Sequence, residues 1–334
     1  MRIFFDPGQL AHAPARELHN GEFVPYAEKP ARAAAIAATL GASEVPLDRG
    51  EAPIRAVHDA GYIEFLKTAP ARWAEAGRPG DVMGYIWPTV RKRALKLDRI
   101  DALAGQYSID ASTPLTADTW DASYRSVQCA LAATHAVLDG ERAAFALSRP
   151  PGHHAGADYL GGYCYLNHVA VAAQAARDAG IGRVAILDID YHHGNGTQDI
   201  FWERGDVFFA SIHADPATDF PFYWGHADEV GEGDGAGATL NLPLPRGTKI
   251  DAFRRAQERA LAAIAASGAE FLLVSFGADT FVDDPISQFA LETADYAVLG
   301  RDIAAAALPT AIVMEGGYAI DALGANVASF LSGF

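Results

Sequence analysis

The sequence predicts a three-layer α/β fold, a parallel sheet covered by helices on both faces, and three observations carry that expectation. Short apolar runs alternate with longer Ala-rich helical patterns through most of the 334 residues. Several of the runs are apolar on both faces, as strands buried from two sides must be. Polar clusters of unusual composition follow the runs, at the carboxyl ends of strands, where open α/β sheets bind ligands.

Taken in chain order, the first strand is RIFF (2–5). AAFALS (143–148) comes next and runs into RPPGHHAG. A helix from Leu166 to Ala179 precedes VAILDID (184–190), which leads into DIDYHHGNG, and VFFASIH (207–213) leads into SIHADP. A helix over Asp251–Ala266 precedes FLLVSFG (271–277), followed by GADTFVDDP; a helix over Thr293–Ala307 precedes TAIVMEG (310–316), followed by EGGY. These clusters are expected to converge on one edge of the sheet. One segment breaks the alternation. From Gly77 to Thr119 the periodicity weakens, Gly, Pro and charges accumulate, and RKRALKLDR (91–99) is basic. It is expected to be an irregular insertion, a lid or an interface, within a single domain spanning 1–334.

Composition narrows the function classes. Half the residues are apolar, enough for a large core. Forty-two acids against 26 bases give a net charge of −16, which repels nucleic acid and anionic membranes and attracts small cations. Cys129 and Cys164 are the only cysteines, too few for a disulfide framework or a four-thiolate zinc site. The start, MRIFFDPGQL, lacks a signal-peptide pattern, and no apolar stretch reaches membrane-spanning length. A soluble, cytoplasmic protein is expected.

The clusters hold metal and acid–base chemistry. Asp188, Asp190 and His192 are spaced by two, so in extended chain they project to one side while Tyr191 and His193 face the other. A carboxylate and an imidazole supply two ligands, and Asp279 is the best candidate for a third from another strand end. Three protein ligands leave a fourth position for water, the pattern of catalytic zinc. Pro150, Pro151 and Gly152 stiffen and then turn the chain, presenting His153 and His154 side by side, with Asp188 and Asn195 available to orient the rings. The Gly-Gly turn in EGGY aims Tyr318 toward a cleft, where its hydroxyl could stabilise an oxyanion.

RPPGHHA, GGYCYLNH, LDIDYHHGNGTQDIF, GADTFVDDPI and MEGGY, in this order, resemble the histone deacetylase superfamily. HDAGYIEFL, WERGDVFFASIHADP, FPFYWG, DDPISQF and the long insertion are more similar to its bacterial acetylpolyamine amidohydrolase branch. The resemblance implies the arginase/deacetylase fold with an eight-stranded parallel sheet, and zinc-dependent hydrolysis of an acyl–amine bond. It implies zinc on Asp190, His192 and Asp279, dyads of His153 with Asp188 and His154 with Asn195, His154 as general base and acid, and Tyr318 on the oxyanion. It also implies a potassium site at Asp188, Ser211 and the carbonyls of Asp190, His192 and Ile212. For substrate it implies the Gly162 carbonyl as acceptor of the amide N–H, and Tyr163 and Tyr223 as aromatic walls.

The expected substrate is a small cationic amide such as an acetylated polyamine, drawn by acids among which Glu17, Glu22 and Asp101 are candidates for a distal ammonium. Ser112 and Asp101 stand where that branch carries glutamates, and Ile286 where spermidine-selective relatives carry a gatekeeping glutamate. The alternative is the same chemistry on other small N-substituted amides, including xenobiotic ones, or on acetyl-lysine. A two-metal ureohydrolase of the same fold is disfavoured, because Gly194 and Phe281 occupy positions where bridging aspartates are required. In the resembling branch the insertion helps form a dimer, so a homodimer or higher homo-oligomer is expected.

Overall fold

The computed structural model describes residues 1–41, 43–88 and 96–334. The strands are β1 (Arg2–Phe4), β2 (Arg16–His19), β3 (Glu22–Pro25), β4 (Ala143–Ala146), β5 (Val184–Asp188), β6 (Val207–Ala214), β7 (Thr239–Leu244), β8 (Phe271–Phe276) and β9 (Thr310–Met314). The α-helices are α1 (Ala31–Leu40), α2 (Ala52–Arg55), α3 (Ala60–Glu75), α4 (Ile100–Gln106), α5 (Thr119–Leu138), α6 (His168–Asp178), α7 (Asn195–Phe201), α8 (Ile250–Ser267), α9 (Thr293–Ala304) and α10 (Ile320–Leu331). Seven strands form one sheet in the order β1-β4-β9-β8-β5-β6-β7, every pair parallel, and β2 and β3 form a separate antiparallel hairpin.

Alternation along β5 explains the three layers. Ala185 and Leu187 enter a cluster with Phe253 of α8, Leu299 of α9 and Phe330 of α10. Val184 and Ile186 face the other way, into a cluster with Cys129 of α5 and Val169 of α6. Each large aliphatic or aromatic side chain withdrawn from water stabilises the fold by about 1.5–3 kcal/mol, so strands apolar on both sides are held by both helical layers. The helix ends follow local chemistry. Asp59 accepts the Gly61 and Tyr62 N–H groups at the start of α3, Asn167 accepts the Ala170 N–H in α6, and Glu292 with Asp295 forms a reciprocal box at α9.

Among the described residues the sheet has seven strands, not the expected eight. The chain beyond α1 approaches the free side of β1, where Glu44 makes a single parallel bridge to Phe4. Pro46, at the next pairing position, has no N–H to donate, so no eighth strand develops. The insertion is also more ordered than expected: it contains α4 and an antiparallel bridge between Val82 and Leu115, and Ile100, Ala104 and Leu115 pack with Tyr62, Leu66 and Leu131. Most of the basic cluster at 91–99 lies outside the described residues.

Register delivers the site. Asp188 on β5 pairs with Ser211 on β6 and Ser275 on β8, so the carboxyl ends of β5 and β8 are nearly level while β6 runs on to Ala214. The segments leaving β4, β5, β8 and β9 therefore emerge beside one another.

Candidate active site

The His153–His154 turn is anchored from below. Glu315, the first residue after β9, accepts the Gly152 and His153 N–H groups through Oε2 at 2.6 and 3.1 Å, and Ser275 donates to its other oxygen. Arg149 is buried and donates to Glu28 Oε1 and to the carbonyls of Gln9 and His12, fixing the chain just before the turn. Burial raises the Glu315 carboxyl to about 7.

The two imidazoles lie 4.0 Å apart between centroids and have different partners. His153 Nδ1 is 2.9 Å from Asp188 Oδ2, and His154 Nδ1 is 2.7 Å from Asn195 Oδ1. Burial disfavours charge on both rings. For His153 the carboxylates of Asp188 and Asp190 outweigh burial and raise its pKa to about 10. His154 has only an amide partner, and burial together with His153 and His192 holds it well below the usual imidazole range. The two rings are therefore pushed in opposite directions, His153 toward its charged form and His154 toward its neutral form.

Asp190, His192 and Asp279 bring one donor atom each to within 4.8 Å of the others. His192 Nδ1 faces both carboxylates, 3.1 Å from Asp279 Oδ2 and 3.4 Å from Asp190 Oδ1. Burial and the Asp190 charge raise Asp279 to about 7. Two buried acids and an imidazole converging on one point suit a divalent cation, which displaces the proton such a cluster otherwise retains. The backbone is shaped around them: a Cβ at Gly316 would lie 2.5 Å from both Asp190 Oδ2 and Asp279 Oδ2. His193 points elsewhere, its Nε2 at Asn241 and its ring 4.6 Å from His213.

Above this cluster opens a cavity of about 590 Å³, lined among others by His154, Gly162, Tyr163, His192, Phe220 and Tyr318. Tyr318 is fixed at backbone and ring: Asp284 accepts its N–H at 2.7 Å, and the Arg32 guanidinium lies 4.7 Å above its ring while bonding the carbonyls of Glu315 and Gly317. Gly162 has φ +53° and stands against His154. The insertion holds this turn, because Asp110 accepts the Gly162 N–H and Thr113 accepts the Tyr163 N–H.

The remaining expected positions divide. Glu17 lines the cavity, its carboxylate accepting from the Tyr163 hydroxyl at 3.0 Å and the Ala27 N–H at 3.2 Å. Burial raises its pKa despite those bonds. Ser112 and Ile286 also line the cavity. Asp188 and Ser211 are side by side across β5 and β6, with Ser211 Oγ 2.9 Å from His213 Nδ1. Tyr223 is not a wall: it is 80% exposed, and Phe220 takes the inward position, its ring 5.0 Å from that of His154. Asp101 does not face the cavity either; it sits on α4 with its charge paired to Arg78 and Arg99. Glu22 is exposed on the β2–β3 hairpin. Reading the sequence alone did not single out Phe220, Arg32, Arg149 or Asp284. For Arg149 a signal existed, a charge at the end of an apolar strand.

A model of the histone deacetylase domain matches residues 26–334. The chain is 47% identical to acetylpolyamine amidohydrolase 2 of Pseudomonas aeruginosa, covering 100% of this chain and 98% of that one. It is 46% identical to acetylpolyamine amidohydrolase of Mycoplana ramosa, covering 100% and 99%. The crystal structure of acetylpolyamine aminohydrolase from Burkholderia pseudomallei superposes with a TM-score of 0.95 at 43% identity, covering 100% and 98%. The chain belongs to the histone deacetylase superfamily, in the branch of the bacterial acetylpolyamine amidohydrolases, and is a hydrolase of amide bonds.

Proposed function

We propose that this protein removes the acetyl group from acetylated polyamines and related small cationic amides, using one divalent ion, zinc, held by Asp190, His192 and Asp279. The observation that carries this reading is a neutral, amide-paired His154 and a buried Tyr318 lining the same cavity as His192, with the Glu17 carboxylate in its wall. When bound, the ion supplies Lewis acidity to the amide carbonyl and to a water molecule. His154 Nε2 takes the proton of the attacking water and returns it to the departing amine. The Tyr318 hydroxyl donates to the oxyanion, the Gly162 carbonyl accepts the substrate N–H, and Tyr163 with Phe220 flanks the acyl chain. His153, bonded to Asp188 through Nδ1, stands beside His154 as the second imidazole of the pair.

Glu17 is the acid best placed for a distal ammonium, since Asp101 is already neutralised by two arginines. A potassium ion between Asp188 and Ser211 fits their shared rung of the sheet. Exposed Tyr85 and Ile86 on the insertion support an oligomer built through that segment, which light scattering would test.

The substrate test compares N-acetylputrescine, N-acetylspermidine, an acetyl-lysine peptide and neutral N-butylacetamide by acetate release. The cationic acetylamines should have the highest kcat/KM. A preference for the neutral amide or the peptide overturns the polyamine assignment. One feature favours that alternative, hydrolysis of other small amides: the Glu17 carboxylate is already engaged by Tyr163 and Ala27.

A further inference from the structure

We infer that Tyr159 is a positioning residue: its hydroxyl fixes the orientation of the Asn195 amide and, through it, the tautomer of His154. This rests on His154 being the general base of the proposed reaction. An amide partner creates a problem that a carboxylate does not. The two oxygens of an aspartate are equivalent, whereas an asparagine turned by 180° presents NH₂ instead of oxygen. Facing the His154 Nδ1 atom, a turned amide stabilises the ring with its hydrogen on Nε2, and that form has no lone pair toward the cavity to accept a proton.

The surroundings of Asn195 select one orientation. Its Oδ1 is 2.7 Å from His154 Nδ1. Its Nδ2 donates to the His154 carbonyl and to the Tyr159 hydroxyl oxygen, each at 3.4 Å. A hydroxyl oxygen alone is an ambiguous partner, because it can donate as well as accept. Here a second group competes for its hydrogen: the Tyr159 hydroxyl also interacts with the Asp199 carboxyl, whose presence raises the phenol's pKa as an acceptor of its hydrogen does. The lone pairs of the phenol thus face Nδ2. Asn195 and Asp199 are separated by four residues on α7 and lie on the same helical face, which lets one phenol meet both.

The phenol is itself held in place. Tyr159 is buried, and its ring closes on the turn after the histidine pair, where a Cβ at Gly156 would lie 2.2 Å from Tyr159 Cε1. The Gly156 N–H donates to the Tyr159 carbonyl. The sequence HHAGADY therefore carries the base and, five residues on, the group that orients its partner.

The test is Tyr159→Phe, which removes one oxygen and keeps the packing, made in the wild-type protein and in an Asn195→Asp background. In the wild-type background kcat on the best acetylamine should fall on the order of tenfold with KM changed by less than about twofold, the usual scale for removing a partner that orients a ligand or base. In the Asn195→Asp background, where no orientation has to be chosen, the same substitution should cost less than about twofold. Nitrogen-15 spectra of the histidine rings read the tautomer without turnover. His154 should carry its hydrogen on Nδ1 in the wild type, and the Nε2–H form should become populated in Tyr159→Phe. Equal losses in both backgrounds, unchanged rates in both, or a His154 tautomer unaffected by Tyr159→Phe overturns the inference. If the wild type hydrolyses no amide while the tautomer responds as stated, the functional reading fails and the positioning role stands.

Discussion

Gly162→Ala should disable the enzyme while leaving it folded, and the structure sets the scale of both effects. An added Cβ would lie 2.1 Å from His154 Cδ2 and 2.9 Å from its Nε2, where ordinary contact begins near 3.4 Å. Either the imidazole or the 162–163 turn must retreat by roughly 1 Å, and misplacement of that size at a reacting group costs on the order of 10²-fold. The backbone at φ +53° adds strain of about 1–2 kcal/mol for any residue with a Cβ, a few degrees in Tm for a chain of this length. The expected outcome is a loss of kcat on N-acetylputrescine near a hundredfold, an unfolding transition lowered by only a few degrees, and wild-type metal content. A Gly162→Ala protein within tenfold of wild-type kcat would contradict the placement of His154 as the base pressed against this turn.

Other perturbations follow from the same geometry. Burial raises the Glu17 carboxyl, so it is ionised only above its elevated pKa. KM for N-acetylputrescine should rise as pH falls through that value, whereas KM for N-butylacetamide should not, and Glu17→Gln should remove the difference between the two profiles. Asp279→Asn should reduce bound zinc from about one ion per chain to a small fraction of that by mass spectrometry, because two carboxylates share the charge of the ion. Arg149→Met should destabilise the protein by about 3–5 kcal/mol in denaturant unfolding, since it removes a buried partner of Glu28 together with the bonds that anchor the histidine turn.

Much of this was legible because continuous burial leaves a strong trace. β4, β5, β6, β8 and β9 are apolar at nearly every position, and each is followed by residues that a buried sheet edge would not otherwise tolerate. β7 was missed for the opposite reason. It closes the sheet at its far side, is only half-buried at three of its six positions and contains Asn241 and Pro243, so it lacks the continuous apolar run of the central strands. Among the described residues the eighth strand is reduced to the Phe4–Glu44 bridge, and Pro46 two residues on has no N–H with which to extend it.

Site residues followed a similar division. Spacing put Asp188, Asp190 and His192 on one side of an extended strand and offered Asp279 from another strand end, the family resemblance chose Asp190 over Asp188, and the donor atoms of Asp190, His192 and Asp279 do lie within 4.8 Å of one another. The aromatic wall was not legible in this way. Within FPFYWG four aromatic residues are close in sequence, and the path of the loop, rather than composition, turns Phe220 inward and Tyr223 to solvent. Asp101 has one neutralising partner two residues away, Arg99, and a second, Arg78, 23 residues away, and neither pairing is evident from the order of the residues alone. A charge counted along the chain says nothing about what it will face. The insertion likewise looked irregular, yet Asp110 and Thr113 within it hold the Gly162–Tyr163 turn, a long-range role without periodicity.

The most direct measurement is acetate release from N-acetylputrescine by the purified protein, before chelation, after removal of metal, and after return of one equivalent of zinc. Turnover that disappears with the metal and returns with zinc, and that is absent throughout in His154→Ala, is the expected result. Turnover that persists in the metal-free protein, or absence of turnover in the zinc-loaded protein on every acetylated amine tried, would contradict a metal-dependent deacetylase built on Asp190, His192 and Asp279.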